Sequence, residues 1–95
     1  MKATTAKNVF KDLGFEPEQA ANLRIRAALM VSLTEHLRQA NLTQKEAAKL
    51  LSVTQPRISD LIRGRIEVFS IDMLIAMLSR LGVKTSILVG NKKVA

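Results

Sequence analysis

Between residues 43 and 65, five basic side chains, Lys45, Lys49, Arg57, Arg63 and Arg65, stand against only two acidic ones, Glu46 and Asp60. Interleaved with them are Gln44, Thr54, Gln55 and Ser59, whose amides and hydroxyls both donate and accept hydrogen bonds. This set suits recognition of a duplex better than bond-breaking chemistry. A glutamine amide can bond adenine through N6 and N7, an arginine can reach guanine or a phosphate, and Thr54 with Pro56 can touch backbone or a thymine methyl. Ser59 and Asp60 point along the same exposed face, and Arg63 and Arg65 flank Gly64 where long cations reach the phosphates beside a groove.

Such side chains must stand on an element narrow enough to enter a groove. Residues 43–64 read as two short helices joined by a tight turn, the unit that places a helix there. Thr43 is an N-cap for a helix from Gln44 to Leu51, and Thr54 is one for a helix from Gln55 to Ile62. Pro56, near the start of the second, removes no internal hydrogen bond because the first backbone donors are unpaired there. The two helices cross steeply, so few positions can face their shared core. Ala47, Ala48, Leu51, Val53, Ile58 and Leu61 fit: Ala48 is small where the second helix comes close, Val53 fills the inside of the turn, and Ile58 and Leu61 share one face. Gln44, Lys45, Lys49, Gln55, Arg57, Ser59, Asp60 and Arg63 are left outside.

Composition agrees. The chain of 95 residues has room for one domain with a small core, marginal enough that a partner would add stability. Its net charge is +7 and its sequence pI about 10.4, the range of nucleic-acid-binding domains. Cysteine is absent and His36 is the only histidine, so disulfides and metal chemistry are not expected. The lone His36 reads as a surface or half-buried helix residue, and Met30, Met73 and Met77 as core filling. No nucleophile, base and orienting group converge, and no glycine-rich phosphate loop exists, so neither an enzyme nor a cofactor is expected. With only Phe10, Phe15 and Phe69 as aromatics, stacking of single-stranded bases is disfavoured. The start, 1–9, holds no apolar run fit for a signal peptide or membrane span, which points to a cytoplasmic protein with no membrane partner.

Three segments follow along the chain. Residues 1–16 read as an N-terminal arm anchored by Val9, Phe10, Leu13 and Phe15 around Gly14. Residues 17–82 read as the helical domain, opening with a long helix from Pro17 to about Ala40 whose stripe is Leu23, Ala27, Met30, Leu33 and Leu37. Its first half, with Arg24 and Arg26, is expected to project as an extension able to meet DNA, a protein partner or a second subunit. A later helix is signalled by Ser70 as N-cap, Asp72 in the first turn and Ile71, Leu74, Ile75, Leu78 and Leu81 in period, ending at Gly82. Residues 83–95 read as a strand of about seven residues, Val83 to Val89, and a tail. Nothing else in the chain looks like a partner for that strand, so pairing with the same strand of a second copy is expected. A two-fold dimer would then present two recognition helices to half-sites about 34 Å apart.

The motif resembles the helix-turn-helix of the Cro/C1-type (XRE) repressor family, in Gln44, Gln55 and Gly64 at their positions. It departs at Ser52, where that family often has glycine, so the backbone there must avoid a left-handed conformation or adopt one at some cost. The resemblance extends through Gln-Pro-Arg-Ile-Ser-Asp-Leu-Ile-Arg-Gly-Arg at 55–65, Phe69 to Leu74, Leu81-Gly82 and Asn8 to Leu13, and these segments look like small antitoxins of the HigA kind. It implies an all-α, five-helix, lambda-repressor-like domain in which Gln55 reads bases while Gln44 holds a phosphate and braces Gln55, with Lys45 beside it. It also implies a homodimeric repressor of its own operon that neutralises a RelE- or HigB-like toxin. Val9, Phe10, Leu13, Phe15 and Leu23 are candidates for the toxin surface, or simply cover the domain's own core. A stand-alone or phage-type repressor shares every one of these residues, and a protein-interaction module could keep the fold as scaffold.

Overall fold

The computed structural model describes residues 16–90 and 92–94. The arm anchors Val9, Phe10, Leu13 and Phe15 therefore lie outside the described residues. Four α-helices form: α1 Pro17–Ala40, α2 Gln44–Leu51, α3 Gln55–Ile62 and α4 Ile71–Arg80, with one 3-10 turn, Ile66–Val68, between the last two. The described residues thus hold four α-helices, against the five that the resemblance implies.

Each helix starts on a side-chain signal. At α1, Pro17 occupies the first turn and the Glu16 N–H donates to Gln19 Oε1 at 3.0 Å. At α2 the cap is reciprocal: Thr43 Oγ1 accepts from the Glu46 N–H at 3.1 Å, and Glu46 Oε1 accepts from the Thr43 N–H at 2.8 Å. At α3 and α4, Thr54 Oγ1 and Ser70 Oγ accept from the N–H groups of Arg57 and Met73. Helix ends are equally local. After α3 the chain turns at Gly64 with φ +72, the Gly64 N–H donating to Leu61 O and the Arg65 N–H to Asp60 O. A Cβ at Gly64 would meet nothing within 4 Å, so the positive φ, rather than space, accounts for glycine there. The same pair of bonds closes α2 at Ser52, which adopts φ 58 in spite of its Cβ.

The core is apolar throughout. Met30, Leu33 and Leu37 of α1, Ala47, Ala48 and Leu51 of α2, Ile58 and Leu61 of α3, Phe69, and Leu74, Met77 and Leu78 of α4 form one buried cluster. Full burial of a Leu or Ile side chain is worth roughly 1.5–3 kcal/mol. Leu33, Leu51, Ile58, Leu61 and Leu74 thus anchor all four helices on one another. Val53 packs against the cluster from the turn, half-buried, and Met73 does the same. Leu23 and Ala27 are also only half-buried, so the fully buried part of the α1 stripe is its C-terminal half together with Ala20.

Two expectations are corrected. The strand covers only Ile87–Val89, and it pairs antiparallel with Lys92–Val94 of the same chain, Ile87 opposite Val94 and Val89 opposite Lys92. We call these β1 and β2. A partner was therefore present a few residues on. Gly90 follows β1 directly at φ 62, the left-handed conformation that tight hairpin turns use, while Lys92-Lys93-Val94 lacks the alternation that marks a strand. The second correction concerns the first half of α1. Arg26 does not stand on a free extension: its Nη1 donates to Ile66 O at 3.0 Å and Phe69 O at 3.1 Å, joining α1 to the 3-10 turn.

Candidate nucleic-acid interface

The α2–α3 crossing fixes the surface above it. Ala47, Ala48 and Leu51 face Ile58 and Leu61 in the core, so the opposite positions of both helices must face outward. Gln44 and Lys45 are exposed at the start of α2, with Lys49 one turn on. Gln55 and Pro56 are exposed at the start of α3, and Thr54 beside them is exposed while its oxygen caps the helix. Ser59 and Asp60 are half-buried on the following turn. Arg63 and Arg65 are exposed at the far end, on either side of Gly64. The sequence-derived residues therefore fall on adjoining elements, the two glutamines each opening a helix of the pair.

The cations differ in what already holds them. Arg65 donates through Nε to Glu67 Oε2 at 3.0 Å, an ion pair open to solvent on both sides. Glu67's own backbone N–H and then Arg65 hold its carboxyl below the usual carboxylate range. An exposed pair of this kind contributes little and exchanges readily for a phosphate. Arg57 is held more closely. Its Nη1 donates to Val68 O at 3.0 Å and its Cζ lies 5.7 Å from the centre of the Phe69 ring, which is itself buried. Arg57 is half-buried accordingly.

Sequence reasoning missed the bonds that brace this surface from behind. Arg26 grips the turn after α3, and Arg80 Nη1 donates to Leu51 O at 3.1 Å, tying α4 to the last carbonyl of α2. A cation at a helix C-terminus also meets the negative end of the helix dipole. His36 Nδ1 lies 2.8 Å from Ser32 O on its own helix, a half-buried helix residue as read. Among the described residues no group of three His, Cys, Asp or Glu is placed to hold a metal ion, and no helix is long and apolar enough to cross a membrane.

A family model described as a helix-turn-helix domain matches residues 9–90, most of the chain and all of the core. The chain belongs to that helix-turn-helix family. Helix-turn-helix units in general place the second of two helices joined by a tight turn in a DNA groove, and α2 and α3 are a pair of that form. No curated protein matches the chain.

Proposed function

We propose that the protein is a sequence-specific repressor that binds operator DNA by inserting α3 into the major groove. The observation that carries this reading is the exposed Gln55 at the α3 N-terminus, with exposed Arg63 and Arg65 at the opposite end, on a helix seated by Ile58 and Leu61. Gln55 reads a base edge, most simply adenine, with Pro56, Ser59 and Asp60 beside it in the groove. Gln44, Lys45 and Thr54 grip the phosphate backbone at one side, and Arg63 and Arg65 at the other. Arg57 is left out of the set because Val68 and Phe69 already engage its guanidinium.

Gln55→Ala relaxes operator discrimination by about 1–3 kcal/mol at one base pair, whereas Arg63→Ala weakens all DNA nearly alike and lowers the salt slope by about one. Competition binding with single-base operator variants separates the two, and equal loss of specificity from both contradicts this division. The parent test is fluorescence anisotropy on duplex DNA from upstream of the gene against a scrambled duplex. A preference of about a thousandfold or more supports a specific regulator, and equal weak binding removes the reading.

The repressor acts as a homodimer in this reading. The hairpin satisfies only one edge of β1 and leaves Leu88 and Val89 69% and 62% exposed. The free edge and these side chains offer a second copy both backbone bonds and apolar surface. Removing residues 83–95 then yields monomers in sedimentation, and a truncated chain that stays dimeric excludes this contact. The resemblance to HigA-like antitoxins further supports a role in neutralising a RelE- or HigB-like toxin, tested by rescue of growth on co-expression with the toxin encoded beside it.

A further inference from the structure

The turn after α3 is held from two sides by arginines, Arg26 from α1 and Arg57 from α3. The Ile66 and Phe69 carbonyls accept from Arg26 Nη1, and the Val68 carbonyl between them accepts from Arg57 Nη1. Arg26 is itself oriented, its Nε donating to Asn22 Oδ1 at 2.6 Å one turn back on α1. Arg57 is steadied by the Phe69 ring, which is 2% exposed and part of the core. Ile66 and Val68 pack on the core, Phe69 belongs to it, and the Ile66 N–H donates to Gly64 O at 2.8 Å, but Arg65 at the start of the turn supplies no side-chain cap, and the bonds within the turn, Val68 N–H to Arg65 O and Phe69 N–H to Ile66 O, are 3.2 and 3.3 Å long. Immediately before it stand Arg63, Gly64 and Arg65.

We propose that Arg26 and Arg57 are positioning residues that clamp the 66–69 turn between α1 and α3, so that Arg63 and Arg65 are presented to the phosphates, and that neither clamping arginine contacts DNA itself. This rests on the DNA-binding reading above. The physical case is one of alternatives: a guanidinium cannot keep its bond to Val68 O and its place on Phe69 while also reaching across α3 to a phosphate. Leaving them would strand a half-buried carbonyl and uncover a core aromatic. Arginine suits the task because its fork donates in two directions at once, as Arg26 does to Asn22 and the turn, where a lysine has a single nitrogen.

The free protein tests the clamp without DNA. Nitrogen-15 spectra of the full chain are expected to show slow guanidinium rotation for Arg26 and Arg57 and fast rotation for Arg63; equally fast rotation in all three overturns the clamp. Salt-dependent binding to the upstream duplex tests the rest. Arg57→Met, which retains an unbranched chain over Phe69, and Arg26→Gln are expected to lower affinity on the order of tenfold with the slope of log K on log salt unchanged. Arg65→Ala, in contrast, is expected to lower that slope by about 0.9, one phosphate contact. A fall of about 0.9 in Arg57→Met places Arg57 on a phosphate and refutes the proposal, as does unaltered affinity in both clamp variants. Circular dichroism confirms that each variant is folded, and Arg57→Lys replaces any that is not, with loss of affinity at full charge as its expected result. If the unaltered protein shows no salt-dependent DNA binding, the DNA reading fails and with it the presenting role, while the rotation data still judge the clamp.

Discussion

The helix-turn-helix and the C-terminal hairpin are built on opposite terms. Residues 43–64 bury five side chains, Ala47, Ala48, Leu51, Ile58 and Leu61, almost completely, and both helices carry their own caps. The hairpin has three residues per strand, and Ile87, Leu88 and Val89 are all exposed. One region is held by packing against the rest of the chain, the other by a single short ladder of backbone bonds. A two-stranded ribbon alone is marginal in water, so the hairpin gains most from whatever covers it, whereas the motif is complete within one chain. The element proposed to face DNA is packed within a single chain, and the element proposed to meet a second copy is the one left open.

That contrast breaks most readily in the core. Leu51→Ala is expected to cost about 2–5 kcal/mol in urea unfolding, because the site is enclosed on all sides, while Leu88→Ala stays within about 0.5 kcal/mol for the monomer. A similar cost at both positions would mean that the hairpin is as tightly packed as the motif. Thr43→Ala, which removes one half of the reciprocal cap on α2, is expected to cost about 1 kcal/mol, measured the same way. The smallest change sharpens the comparison from the other side. Ser52→Gly relieves a left-handed residue and is expected to stabilise the chain by up to about 1 kcal/mol, the gain being reduced by glycine's greater freedom when unfolded. A loss of stability instead would show that the Ser52 side chain contributes more than its backbone strain costs.

Much of the architecture was legible because its signals are local. Thr43, Thr54 and Ser70 mark helix starts through bonds made three residues away, and Gly64 marks an end through its own φ. The spacing of Met30, Leu33 and Leu37 declares a buried face wherever the rest of the chain lies. The candidate interface followed from the same logic, since what a short helix cannot bury it must expose. The hairpin was not legible: β2 is Lys-Lys-Val, a run whose identity as a strand exists only in its pairing with β1.

The sequence by itself determined the four α-helices, the caps of α2, α3 and α4, the apolar seam between α2 and α3, and the charge that favours a polyanion. Only the tertiary structure decided which arginines are free for one. Beyond its own helix Arg26 finds acceptors 40 and 43 residues away, Arg57 one 11 away and Arg80 one 29 away, and each of these distant acceptors is a backbone carbonyl. Every residue carries that group, so no pattern of side chains announces it as a partner, and an arginine bound to one is indistinguishable in sequence from one that faces water. Which is which depends on where folding brings the chain close to itself.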